Sequence, residues 1–245
     1  MSKLNVNSSG YTVIFSVLMV VIVGFLLSFF SDITAETRKA NGEIKLQLDV
    51  LAALNIGEAQ GVTRANAVEK FKSIIKEQYV IEGEKATPDD KAYLLNIKRE
   101  LDKAKTGGTP RLPLFVAEVE GKKKYIMALR GVGLWDAIWG YMTLNDDFKT
   151  VYGVYFDHKA ETPGLGANIT QAYFVDDFKD ESLFDKSGNF KGIAVSKSNN
   201  DPDNVRKEDN AVDALSGATI TGNGLATMIE KGYKAYQPYF ETLKK

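Results

Sequence analysis

From Leu4 to Ser31 the chain carries no charged side chain, and Val13 to Phe30 is almost wholly apolar. At about 1.5 Å of rise per residue such a run is long enough to cross the hydrocarbon of a bilayer. One membrane-spanning helix within residues 1–33 is therefore expected. A cleaved signal peptide is the competing reading. It calls for a shorter apolar region and a small-x-small site, and Ile33-Thr34-Ala35 supplies only half of that site. Flanking charge does not orient the helix, because Lys3 stands alone before it while Arg38 and Lys39 follow it among Asp32 and Glu36. Gly24 with Ser16 or Ser28 would let a second helix approach closely, a pattern that also occurs in membrane helices without partners.

What remains is long enough for one globular domain with a sizeable core. Lysine and arginine number 31 against 32 aspartates and glutamates, so no net field draws the chain to nucleic acid, and no nucleic-acid partner is expected. The absence of cysteine excludes disulfides, thiolate nucleophiles, cysteine-ligated zinc and ordinary iron–sulfur clusters within this polypeptide. Any redox chemistry must come from a borrowed cofactor. The single histidine, His158, rules out a multi-histidine metal site; an all-carboxylate calcium or magnesium site stays open, and no transition metal is expected.

After the apolar run, Ile44, Leu48, Leu51 and Ala52 recur at helical spacing, and Asn55-Ile56-Gly57 ends the run with Gly57 available for a left-handed cap. A second helix is expected from Thr63, with Ala67, Val68, Phe71, Ile74 and Ile75 as its apolar stripe. Charged residues dominate Glu82 to Arg99, where Thr87-Pro88-Asp89-Asp90 reads as a helix start, and Thr106-Gly107-Gly108-Thr109-Pro110 breaks the chain ahead of the main sheet. Leu114 to Val119 and Tyr125 to Leu129 flank a Glu120-Gly121 turn as a hairpin, and Thr150 to Phe156, Gln171 to Val175 and Phe190 to Ser196 read as further strands. A last helix carries Leu225, Met228, Ile229, Gly232, Tyr233 and Tyr236 on one side until Pro238 interrupts it. The expected fold is α+β: an anchor (1–33), a helical lead-in (34–110), and a domain (111–245) built on a mainly antiparallel sheet flanked by helices.

Chemistry concentrates at Asp213-Ala214-Leu215-Ser216-Gly217-Ala218-Thr219-Ile220-Thr221, just before the last helix. Small residues let backbone amides approach a bound group, and a helix N-terminus favours phosphate. Taken alone, the segment reads as readily as a capped turn with Thr221 as the cap. Two other stretches stand out. His158-Lys159-Ala160-Glu161-Thr162-Pro163-Gly164-Leu165-Gly166-Ala167 places proline and glycine at the second and third positions of a type II turn. Gly131-Val132-Gly133-Leu134-Trp135-Asp136-Ala137-Ile138-Trp139 puts tryptophans beside glycines, which by itself is a pattern of core or hairpin packing.

At these residues a family resemblance enters. Asp213-x-x-Ser216-Gly217-Ala218-Thr219 resembles the flavinylation motif of FMN-binding domains in sodium-translocating and related electron-transport complexes. The resemblance implies FMN held covalently by a phosphoester on Thr219, placed there by a separate flavin transferase that recognises Asp213, Ser216, Gly217 and Ala218. The histidine followed by Glu161-Thr162-Pro163-Gly164-Leu165-Gly166 resembles the part of that family's flavin pocket to which Glu161, Thr162, Gly164, Leu165 and Gly166 belong. The Gly133-Leu134-Trp135 stretch resembles the C-subunit family of sodium-translocating NADH:quinone reductases more than the nitrogen-fixation-type relatives, and Trp135 or Leu134 would cover the isoalloxazine face. The family implies an electron-relay subunit among other membrane subunits of an NADH:quinone reductase complex. It implies a single-pass position in the bacterial inner membrane, with the soluble domain in the periplasm. No Gly-x-Gly-x-x-Gly fingerprint is present, which agrees with NADH being oxidised elsewhere.

Three other readings compete. A hydrolase using Ser216 or Thr219 with His158 and Asp213 lacks the glycine-x-serine-x-glycine elbow. A non-redox assembly subunit of a membrane complex would carry no flavin. The equivalent flavoprotein subunit of a related ion-translocating complex would share the motif.

Overall fold

The structure is a computed structural model. It describes residue 6, residues 8–199 and residues 201–244; Lys3 and Leu4, at the start of the apolar run, lie outside the described residues. The chain divides into two compact units, residues 1–43 and residues 44–245.

The first unit is helical. Helix α1 runs Ser9–Ile33, with Ser8 capping the amide of Tyr11, and buries none of its residues. Among the described residues it is the one helix long and apolar enough to cross a membrane. Helix α2, Ala35–Ala52, begins in this unit and passes into the second.

In the second unit the end of α2 buries Gln47, Asp49, Val50 and Leu51. The left-handed residue that follows is Asn55 (φ 59°), not Gly57, whose φ is −144°. Asparagine tolerates that conformation because its short amide bonds locally, and here Asn55 Nδ2 also donates to the Tyr152 carbonyl at 3.2 Å. Helix α3 is Ala67–Ile74: it starts at the first residue of the apolar stripe rather than at Thr63, and ends one residue before the stripe does. Thr63 does not cap it: the Thr63 amide donates to the Asn66 side chain, and Ile75 already belongs to a strand.

That strand is β1, Ile75–Glu82, followed by β2, Lys85–Pro88. The expected helix start at Thr87-Pro88 is the end of a hairpin, and the next helix, α4, is Ile97–Lys105, capped by Asn96. Strands β3 (Leu112–Val119), β4 (Lys122–Val132), β5 (Ala137–Leu144) and β6 (Val151–His158) complete an antiparallel sheet of order β2-β1-β3-β4-β5-β6. A boundary at residue 110 falls between β1 and β3, which pair with one another, so the lead-in supplies two of the six strands.

Gln171–Val175 is not a strand. It lies in a short helix α5, Ala172–Val175, because Phe174 and Phe178 both turn inward at a helical spacing, their rings 5.4 Å apart. Of Phe190–Ser196, Ala194–Val195 (β7) forms a small parallel pair with β8, Ala211–Val212, and Phe190 makes an isolated antiparallel bridge with Phe184. The last helix, α6, is Thr219–Leu243 and continues through Pro238. The turn after Pro238 is held by burial, since Tyr236 and Phe240 are fully buried with stacked rings 6.0 Å apart.

Both faces of the sheet are covered, and strict alternation along β4 sorts its residues. Met127 and Leu129 face the core beneath α6, and Ile126 and Ala128 face the core shared with α2 and α3. Helix α6 lies close on β4: a Cβ at Gly131 would sit 2.7 Å from Met228 Cβ. The Tyr236 hydroxyl fixes the register, donating to the Pro113 carbonyl at 2.8 Å and accepting from the Ala128 amide at 3.1 Å. This packing places the start of α6 beside the β4–β5 connection.

Candidate functional site

Three segments far apart in sequence meet at the N-terminus of α6. The first is the helix start itself. Gly217 takes a left-handed conformation (φ 67°), Ala218 is the buried N-cap position, and Thr219 opens the helix exposed to solvent. No side chain caps this end, and the first-turn amides of Thr219, Ile220 and Thr221 have no preceding helix carbonyl to pair with. Thr221 is not a cap. It is 1 % exposed and its hydroxyl donates to Glu161 Oε2 at 2.6 Å.

The second segment follows β6. The amide of Leu165 bonds the Thr162 carbonyl at 3.1 Å and Gly164 has φ 78°, which is the turn predicted from Pro163-Gly164. Thr162 and Gly164 are exposed, Leu165 is 41 % exposed, and Gly166 is buried. Two glycines here answer to different constraints: Gly217 to its left-handed backbone, since the Leu165 methyl group near it ends a side chain that can swing aside, and Gly166 to space. A Cβ at Gly217 would lie 2.7 Å from Leu165 Cδ2, and one at Gly166 would lie 2.5 Å from Glu161 Oε2 and 2.6 Å from Thr221 Oγ1.

The third segment is the β4–β5 connection. Trp135 is 67 % exposed; its amide donates to Glu161 Oε1 at 2.9 Å and its indole Nε1 to Thr162 Oγ1 at 3.2 Å. A Cβ at Gly133 would lie 2.6 Å from Glu161 Oε1, and one at Gly224 on α6 would strike the Val132 carbonyl. Around Thr219 the surface is thus apolar and open, presented by Leu134, Trp135, Leu165 and Ile220. Such side chains are costly to leave in water without an occupant or partner.

Glu161 lies beneath this surface, 3 % exposed. Burial alone would push its carboxyl up. Hydrogen bonds from the Thr221 hydroxyl and from the amides of Trp135, Leu134 and Asp136 outweigh that and hold it below the usual carboxylate range. His158 Nδ1 accepts the Glu161 amide at 3.2 Å, a structural bond that takes the nitrogen a hydrolytic triad would need.

Of the residues singled out in the sequence, Trp135, Glu161, Thr162, Gly164, Leu165, Gly166, Gly217, Ala218 and Thr219 are brought together. Ser216 is exposed on the same loop. Asp213 is tied backwards: its carboxylate accepts the Asp201 amide at 3.3 Å. Trp139 belongs to the other side of the sheet, since its strand neighbours Ile138 and Met142 face the α6 core; it carries the Arg130 guanidinium over its ring at 5.9 Å. Sequence reasoning missed Thr221 as a partner of Glu161, and Ile220 and Gly224 as site residues. Only their spacing from Thr219 along the helix could have signalled them.

An antiparallel sheet whose long terminal helix opens on a glycine-bearing loop and an exposed threonine defines the class: residues 133–234 match the family described as FMN-binding domain. The C subunit of the Na(+)-translocating NADH-quinone reductase from Parabacteroides distasonis superposes with a TM-score of 0.70 at 34% identity, over 83% of this chain and 95% of that one. Shewanella oneidensis NqrC superposes with a TM-score of 0.67 at 26% identity, over 82% of this chain and 97% of that one. The chain belongs to the C-subunit family of Na(+)-translocating NADH-quinone reductases. The Pseudomonas aeruginosa member of that family is 30% identical over 54% of this chain, and the match spans about half, 51%, of that protein's length.

Proposed function

We propose that this chain is the electron-relay subunit of a sodium-translocating NADH:quinone reductase, carrying FMN through a phosphoester on Thr219. The observation that supports this reading is the convergence of three distant segments on one exposed threonine at an uncapped helix start. The site fits the group. Thr219 is exposed to an external transferase, the first-turn amides at the positive end of a 25-residue helix would hold a phosphate, and Leu134, Trp135, Leu165 and Ile220 would give an apolar surface for a flat ring. When bound, FMN supplies the capacity to take up and release electrons singly. The protein's own work is to hold, orient and partly desolvate.

Gly217 and Gly166 allow the loops to close to contact distance, and Thr162 fixes the Trp135 indole at the rim. Asp213, Ser216 and Ala218 belong to the segment read by the flavin transferase. Helix α1 anchors the chain in the bacterial inner membrane with the domain on the periplasmic side, among the other membrane subunits of the complex. NADH oxidation and ion movement belong to those partners, since a single helix with no charged residue from Ser9 to Ser31 offers no ion path. The assembly-subunit alternative predicts a colourless chain.

The test is the full chain purified after co-expression with a flavin transferase. The expected result is flavin that stays with the denatured polypeptide and is not reduced by NADH alone. Absence of flavin, or NADH oxidation at a useful rate by the purified chain alone, would overturn the reading.

A further inference from the structure

The Glu161 carboxylate touches all three segments of the site while facing none of its surface. One oxygen accepts the Trp135 amide at 2.9 Å and the other the Thr221 hydroxyl at 2.6 Å. Gly133 and Gly166 each leave room for it where a methyl group would collide. Trp135 and Thr221 both donate to it, through one backbone amide and one hydroxyl. A carboxylate accepts from both with its full charge, whereas a carboxamide with its oxygen on the Trp135 amide would keep only neutral hydrogen bonds, its NH2 group donating to the Thr221 hydroxyl. At 3 % exposure Glu161 has almost no surface left for a ligand, so it is not itself a contact to FMN.

We propose that Glu161, acting through Thr221, is a positioning residue that sets the first turn of α6, and with it Thr219, against the Leu134–Trp135 rim. The proposal rests on the reading of Thr219 as the flavin-bearing residue. Its physical basis is that a hydrogen bond to a buried charge is stronger than one between neutral groups, and that a reactive or ligand-bearing group is held in place by the shell beneath it. The long helix and the sheet are already joined by apolar packing along β4, so the strap adds local geometry rather than the fold.

Hydrogen exchange of the full-length chain in detergent, without FMN, reads the strap directly. In Thr221→Val and Glu161→Gln, exchange at residues 133–136 should rise about tenfold, the loss of a bond to a charged acceptor, while β3 exchanges as in wild type. Thr221→Ser, which keeps the hydroxyl, should hold wild-type exchange. In the flavinylated proteins, iodide quenching of the flavin should increase for Thr221→Val and Glu161→Gln and stay unchanged for Thr221→Ser. Wild-type exchange in Thr221→Val overturns the proposal, as does Thr221→Ser behaving like valine or an equal rise throughout β3. Should Glu161→Gln fail to fold, Thr221→Val carries the decision alone. A wild-type chain without flavin would refute the Thr219 reading instead, and the exchange arm tells the two failures apart.

Discussion

The residues that carry the site are those whose environment leaves little choice. Gly217 and Gly166 stand in the sequence as small residues near a motif, and the structure gives the reasons: a left-handed backbone at Gly217, and at Gly166 the buried Glu161 and Thr221 side chains, which occupy the space a side chain would need. Thr221 was not legible, because a hydroxyl two residues into a helix reads as a cap until the tertiary partner is known. A second buried carboxylate has no such partners. Glu181 is fully buried, and neither carboxylate oxygen has a hydrogen-bond partner among the described residues. Burial, reinforced by Asp209, pushes its carboxyl up to about 8 from 4.5. Between those two values the native state holds a proton that the unfolded chain has released. Stability therefore falls as pH rises through this window: the contribution is fully present below the unfolded value and gone above the folded one. Glu181→Gln should flatten this slope and raise the urea midpoint above pH 8 relative to wild type. Parallel pH profiles for the two proteins would exclude the assignment.

At the scale of elements, the sequence showed the β3–β4 hairpin through its apolar runs and Glu120-Gly121 turn, and it showed α6 through its aromatic stripe. Strand β2 was hidden because it is a short, exposed edge strand, and β1, though paired on both sides, was hidden because most of its residues are only partly buried and Lys76, Glu77 and Gln78 break its apolar pattern. Strand β5 was obscured differently. Its Trp139-Gly140-Tyr141 run was read for chemistry, although Gly140 is there because β6 presses on it. A Cβ at Gly140 would strike the Tyr155 carbonyl, a backbone atom that cannot swing away. Gly140→Ala should therefore cost about 3 kcal/mol, as overpacking against a fixed strand does, measured by chemical denaturation. A loss within experimental error would mean that β5 and β6 can separate locally. Pro238 misled for a simpler reason: proline removes one helix bond, but Tyr236 and Phe240 hold the helix on either side of it.

For the molecule as a whole, the division after Glu43 separates an apolar helix with no buried residue from a unit containing both cores. Deleting residues 1–43 should leave residues 44–245 folded, with a cooperative thermal transition, and should abolish sedimentation with membranes. Loss of cooperative unfolding would show that the anchor contributes to the core. The balanced charge and the absence of cysteine are whole-chain properties readable at once in the sequence, whereas the convergence of segments 133–135, 161–166 and 217–221 exists only in three dimensions. The central claim is that this convergence serves a flavin linked to Thr219. Intact mass combined with in-gel flavin fluorescence of the denatured full chain, co-expressed with a flavin transferase, tests it for wild type and Thr219→Ala. The account predicts one FMN-sized adduct and a fluorescent band in wild type, both absent from Thr219→Ala; an adduct retained in the variant, or none in wild type, would contradict it.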